Sequence, residues 1–88
     1  MEISKVAQAG TLESSDVLIQ IEPSDDLTIE IASSVEILYG DKIRKQIKSI
    51  IEREGIKNGI FRIQDNGSLP CILEARLLTA LSRSMKGD

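Results

Sequence analysis

Apolar residues recur along the chain with two different periods, and the change of period marks the elements. Val17, Ile19 and Ile21 interleave with Leu18, Gln20 and Glu22, which is the period-two pattern of a half-buried strand ending at Pro23. Leu27, Ile29 and Ile31 then interleave with Thr28, Glu30 and Ala32. Between the two runs, Pro23-Ser24-Asp25-Asp26 has turn chemistry: proline presets the turn dihedral and the aspartates bond the local backbone. Two alternating runs joined by a short turn predict a hairpin. Ser33 with Glu36 three residues on is a capping-box signature. Beyond it Tyr39, Ile43, Ile47, Ile50 and Ile51 fall at helical spacing, so a helix is predicted from Val35 to Glu54 with Gly55 as its stop.

Gly59 to Gln64 carries Ile60, Phe61 and Ile63 and predicts a further strand; Asp65-Asn66-Gly67 is a strong turn. Ser68 is placed to cap a second helix with Pro70 in its first turn, and Leu73, Leu77, Ala80 and Leu81 form its inward stripe. An additional strand fits Ala7 to Leu12, and the tail Ser84 to Asp88 is expected to fray. The order β-β-α-β-α predicts an α+β two-layer sandwich: an antiparallel sheet of three to four strands with two helices on one face. Residues 1–88 read as one domain with no repeats, linkers or low-complexity tracts.

Composition narrows the chemistry. With 88 residues the chain buries roughly two-thirds of its unfolded surface at best, which leaves little for a deep pocket. There is no histidine or tryptophan and a single cysteine, Cys71, so a Cys–His pair, a Ser–His–Asp triad and a structural zinc site are all disfavoured. Cys71, beside Ile72 and Leu73, is expected to pack in the core as a small hydrophobe, with an activated thiol at a helix start as the sharper reading. No apolar run approaches the ~18 residues of a membrane span, and Met1-Glu2-Ile3-Ser4-Lys5 lacks the opening of a signal peptide. A cytoplasmic chain without membrane partners is therefore expected. The net charge of −3 divides unevenly: Met1 to Asp41 is acidic with Lys5 its sole base, whereas Lys42 to Asp88 is basic. The basic stretch Lys42, Arg44, Lys45, Lys48, Arg53, Lys57 and Arg62 is either a solvated face or a docking surface. A nucleic-acid surface is disfavoured, because Tyr39 and Phe61 are the only aromatics available for base stacking.

One segment carries candidate chemistry: Ala9-Gly10-Thr11-Leu12-Glu13-Ser14-Ser15-Asp16. By its residues it is a polar turn whose serines can bond the local backbone. It also meets the needs of a post-translational attachment point, with an exposed hydroxyl on a short loop that has no basic residue of its own to hold a phosphate. Glu13 and Asp16 would weakly repel a phosphodiester and favour an arm held in solvent.

The AGTLESSD run resembles the N-terminal motif of the citrate lyase acyl carrier (gamma) subunit family. The resemblance continues through Ser33-Ser34-Val35-Glu36, Asp65-Asn66-Gly67, Cys71 and Glu74-Ala75-Arg76, and covers nearly the whole chain in the same order. Pro70 departs from it, standing where the family more often has an acidic residue. The resemblance implies that Ser14, the first serine after the Leu-Glu pair, carries phosphoribosyl-dephospho-coenzyme A through a phosphodiester. It implies a non-catalytic carrier whose arm holds acetyl and citryl thioesters during cleavage of citrate to acetate and oxaloacetate. The implied partners are the alpha (acyl transferase) and beta (lyase) subunits and a prosthetic-group transferase. Neither catalytic residues nor a metal are implied in the carrier itself. A malonate decarboxylase carrier, which uses a related group, and an unmodified interaction or nucleic-acid-binding module are the alternatives.

Overall fold

In the computed structural model, which describes residues 3–33 and 36–85 apart from the side chains of 36–39, the elements follow in one order: β1 (Ala7–Gly10), β2 (Val17–Glu22), β3 (Leu27–Ser33), α1 (Glu36–Arg53), β4 (Gly59–Asp65) and α2 (Pro70–Ser84). The α+β two-layer architecture expected from the periodicities is present, and the element bounds lie close to those predicted. The Glu36 side of the capping box and the place of Tyr39 in the helical stripe lie outside the described side chains.

The sheet runs β1-β2-β4-β3. β2 is antiparallel to both β1 and β4, with Ile19 opposite Ala9 on one side and Ile63 on the other. β3 pairs with β4 in parallel, Ile29 opposite Phe61 and Ile31 opposite Ile63. Two expectations are corrected by this order. β2 and β3 do not form a hairpin, and the sheet is mixed instead of antiparallel throughout. The physical reason is burial. β4 carries Phe61 and Ile63 with 0% and 1% exposure, and inserts between β2 and β3, where both of its edges are hydrogen-bonded. A parallel pair needs a crossover connection, and α1 supplies it between β3 and β4.

One face of the sheet holds the core. Val17, Ile19, Ile21, Phe61 and Ile63 meet Ile43, Ile47, Ile50 and Ile51 from α1 and Leu73, Leu77, Ala80 and Leu81 from α2. α2 lies over β1 and β2, and α1 lies against α2 and β3. The other face is open and polar. There Arg62 of β4 pairs with Glu22 of β2 and Glu30 of β3, tying three strands together; contact with Glu22 first, and with Glu30, raises its pKa above the ordinary guanidinium value. No helix among the described residues is long and apolar enough to cross a membrane.

Three local expectations change at α2. Its N-cap position is Leu69 with Pro70 in the first turn, and no side chain caps it; the Ser68 hydroxyl is instead donated to Asp65. Cys71 is exposed, not packed in the core. A helix turns about 100° per residue, so Cys71 stands roughly 200° around from buried Leu73 and faces solvent. Ser84, expected in a frayed tail, is fully buried, and its carbonyl accepts from the N–H groups of Ser4 (2.9 Å) and Lys5 (3.0 Å). Ile3, itself buried, bridges Met85 beside it.

The position of Cys71 gives a direct expectation. The native protein should be labelled stoichiometrically by a maleimide, with no change in its circular dichroism. A thiol that reacts only after addition of denaturant would contradict the exposed placement.

Candidate functional site

The sequence places the candidate serine on the connection between β1 and β2, and the fold turns that connection into a fastened loop. Its first constraint is Gly10. With φ of +93°, it brings the backbone against β2 so closely that a Cβ there would lie 1.8 Å from the Val17 carbonyl oxygen. A side chain cannot fit, and the conformation itself is one that favours glycine.

Two clamps hold the rest. Inside the loop, Thr11 Oγ1 donates to Asp16 Oδ2 (2.6 Å) and accepts the Glu13 N–H (3.2 Å). Asp16 also accepts the Val17 N–H at 2.7 Å. From α2, Arg76 reaches the same carboxylate with both arms of its guanidinium, Nε to Oδ1 at 3.2 Å and Nη2 to Oδ2 at 3.0 Å. This two-point geometry fixes orientation as well as distance. The hydroxyl of Thr11, then Arg76, then the Val17 amide hold the Asp16 carboxyl down at a pKa of about 2.

The second clamp comes from the turn after β4. Ser15 N–H donates to the Asn66 carbonyl (2.8 Å), Asn66 N–H donates to the Asp16 carbonyl (2.9 Å), and the Asn66 side-chain amide donates to the Leu12 carbonyl. That turn is itself anchored by buried Asp65, whose carboxylate accepts from the Gly67 and Ser68 amides and from the Ser33 and Ser68 hydroxyls.

Between the clamps the chain makes a tight turn. Asp16 N–H donates back to the Glu13 carbonyl at 3.1 Å, which places Ser14 and Ser15 at the two corners. Ser15 has φ of +65°, a left-handed conformation more usual for glycine or asparagine, and one that costs a serine some strain. Positive φ at the second corner alone is the sign pattern of a type II turn. Ser15 is thus committed through its backbone to Asn66. Ser14 occupies the first corner; like Ser15 it is exposed, and it makes no hydrogen bond to the described residues. Leu12 beside it is 56% exposed.

The sequence placed Ser14 on an exposed turn and the structure agrees. It did not foresee the part of Thr11, Asn66 and Arg76 in holding that turn. Arg76 entered only through the resemblance, and nothing in the spacing of residues 16 and 76 could pair them. The acidic surroundings are also milder than the sequence suggests: Asp16 is neutralised by Arg76, which leaves Glu13 as the acid next to Ser14 without an ion pair. With no histidine in the chain, the hydroxyl lacks the usual base of a serine nucleophile. A positioned, protruding and otherwise uncommitted hydroxyl is suited to being modified by another protein.

Two substitutions test the clamps. Arg76→Gln should raise the Asp16 pKa from about 2 toward 3.8 in a carboxyl NMR titration, and should speed amide exchange at Ser15 and Asp16. Because the folded pKa is the lower one, loop ordering by Asp16 is present above 3.8 and is lost as pH falls toward 2. An unchanged titration would show that the Asp16–Arg76 pair does not form in solution. Gly10→Ala should destabilise the domain in urea unfolding by at least about 1 kcal/mol, through positive φ and the clash with Val17; a neutral effect would contradict the close approach.

Comparisons with known proteins agree with this picture. Residues 4–84 match the family model described as malonate decarboxylase delta subunit. The citrate lyase acyl carrier protein of Halothermothrix orenii is 47% identical over 88 residues, covering 99% of this chain and 94% of the relative. The protein of the same name from Clostridium perfringens is 44% identical, covering 96% and 85%. Among solved structures, a chain in the crystal structure of a Pseudomonas malonate decarboxylase hetero-tetramer in complex with malonate superposes with a TM-score of 0.84 at 19% identity, covering 94% of this chain and 87% of that one. The fold is therefore shared well beyond the reach of close sequence similarity. The full-length matches at this identity decide the matter: the chain belongs to the citrate lyase acyl carrier protein family, as a non-catalytic carrier subunit.

Proposed function

We infer that this chain is the acyl carrier of a cytoplasmic citrate lyase complex, and that its prosthetic group is phosphoribosyl-dephospho-coenzyme A joined to the Ser14 hydroxyl. The observation that carries the assignment to Ser14 is the turn itself: both adjacent serines are exposed, but Ser15 is held through its amide on Asn66 and in a left-handed conformation, whereas Ser14 makes no hydrogen bond to the described residues. Family membership calls for a covalently attached group, and the residues present fit one.

Bound there, the group would supply a terminal thiol that holds the acyl unit. The chain's own contribution is mechanical and electrostatic. The Arg76–Asp16–Thr11 clamp and Asn66 fix both flanks of the turn, so the point of attachment stays in place while whatever hangs from it moves. Arg76 reaches the loop from α2, and its Nε and Nη2 are committed to Asp16, whose carboxylate offsets its charge, which discourages it from drawing a phosphodiester back onto the surface. Glu13 adds a weak repulsion in the same direction. A tether that leaves the arm free raises the effective concentration of the acyl group at each partner site. In this reading the partners are an acyl transferase subunit, a lyase subunit and the transferase that installs the group; the chemistry takes place on them.

A malonate decarboxylase carrier is the second reading, favoured by the description of the matching family model and by the fold neighbour. The relatives named for citrate lyase, at 47% and 44% identity against 19% for the fold neighbour, support the first reading.

The decisive experiment is intact mass and peptide mapping of the chain isolated from its native cells grown on citrate. Addition of the mass of phosphoribosyl-dephospho-coenzyme A on Ser14 is expected, and Ser14→Ala should abolish it. An unmodified chain would overturn the carrier assignment, and modification at Ser15 would overturn the choice of serine. Turnover of malonate but not citrate by the isolated complex would select the second reading.

A further inference from the structure

α2 runs antiparallel to β1, and its contacts fix which residues stand level with the serine turn. The Ser84 carbonyl accepts from the N–H groups of Ser4 and Lys5, Arg83 donates to the Gln8 carbonyl at 3.0 Å, and Arg76 passes Gly10 to reach Asp16. Pro70 lies six residues before Arg76, so the start of α2 continues about 9 Å further in the same direction. Asn66, three residues before Leu69, holds the Leu12 carbonyl with its side-chain amide. Leu69, Pro70 and Cys71 are therefore brought to the same pole of the molecule as Leu12 and Ser14.

That pole differs from the rest of the surface in composition. Thr11 to Ser15 and Leu69 to Cys71 are all exposed, and Glu13 is the one charged residue among them. Two large apolar side chains stand there, Leu12 with 56% exposure and Leu69 with 63%. α1 shows the ordinary case: exposed Lys45 and Lys48 have Asp41 and Glu52 four residues away on the same side, a solvated face of mixed charge. A leucine alone on a surface needs no explanation. Two on a pole poor in charge follow the composition of an interface core. Leu12 is also displayed on ordered backbone: its carbonyl is held by Asn66 and the following amide by Thr11 Oγ1, so covering it costs little further ordering.

Reach decides what covers this pole. A subunit that works on the terminal thiol meets the far end of the arm and need not touch the domain around Ser14. An enzyme that forms the bond to the Ser14 hydroxyl must bring its active site against that oxygen, and its surface then lies on the flanking residues. We propose that the enzyme that installs the prosthetic group docks on this pole, with Leu12 as its main apolar contact and Leu69 and Pro70 as a second one across the Asn66 turn. The inference rests on the reading of Ser14 as the point of attachment.

The test follows uptake of the arm by the full-length chain, made in a foreign host with a heavy-nitrogen label. The chain is incubated in an extract of its native cells grown on citrate, which supplies the modifying enzyme and its donor, and intact mass reads the modified fraction. Leu12→Ser should raise the chain concentration giving half-maximal rate by about tenfold and leave the limiting rate within about twofold. Leu69→Ser should shift it the same way by a smaller factor, and Leu12→Met should restore most of the loss. Val6→Ser, at the end of β1 remote from the turn and 70% exposed, should behave as the wild type. All these positions are exposed, so circular dichroism and the urea midpoint should be nearly unchanged. A bulky maleimide on Cys71 should slow uptake by obstructing the same surface. Wild-type concentration dependence in Leu12→Ser would overturn the inference, as would unhindered uptake by the maleimide-labelled chain. A loss confined to the limiting rate would also overturn it, because Leu12 would then support the turn instead of meeting the enzyme. Failure of the wild-type chain to acquire the mass at all would overturn the attachment reading beneath it.

Discussion

Everything in this structure is arranged around β4. Like β2 it is paired on both edges, its inward residues Phe61 and Ile63 are almost wholly buried, and its end delivers Asp65 and Asn66 to the place where three other segments meet. Placing an apolar strand at the centre removes its two edges from water and leaves the short β1 and the more exposed β3 outside. The parallel pairing with β3 then obliges the chain to cross over, and α1 is the crossover. One demand, that Phe61 and Ile63 be covered on every side, therefore sets the strand order, the need for α1 and the location of the turn that fastens the Ser14 loop.

The junction at the end of β4 joins stability to function. Asp65 is buried, yet every described contact of its carboxylate is with a hydrogen-bond donor, so it organises the start of α2 and the end of β3 instead of acting as a reactive group. Asn66, next along, spends its backbone and its side chain on the loop containing Ser14. The loop inherits its rigidity from the core through these two residues and from α2 through Arg76. Its one strained residue, Ser15, sits between the anchors, where surrounding bonds can hold an unfavourable dihedral.

Much of this was legible in the sequence, and the failures have a common cause. Alternation in β2 and β3 and the helical spacing of Ile43, Ile47 and Ile51 identify elements, because period reports which side of an element is buried. Period does not report which strand lies beside which. Pro23 to Asp26 has turn chemistry whether its flanking strands pair directly or leave room for a third, so the hairpin reading and the actual order share one local sequence. Cys71 shows the same limit on a helix: adjacency to Leu73 says nothing about angle. Ser68 looked like a cap because its type and position suit one, but a buried carboxylate three residues earlier took the hydroxyl. The serine turn was recognisable by composition and resemblance. Its fastening by Asn66 and Arg76 depends on contacts across more than fifty residues, which no local pattern encodes.

The closing bridge between Ile3 and Met85 has a topological consequence. Ser84 ends α2, whereas of the residues that fasten the Ser14 turn Asn66 precedes the helix and Arg76 lies near its middle, and a helix of 15 residues is about 22 Å long. The first and last described residues therefore emerge side by side at the pole remote from the serine. A linker could join them with little distortion, so circular permutants opened elsewhere would keep the serine turn unaltered. Anything fused at either end would leave from the rear of the molecule, away from the serine turn.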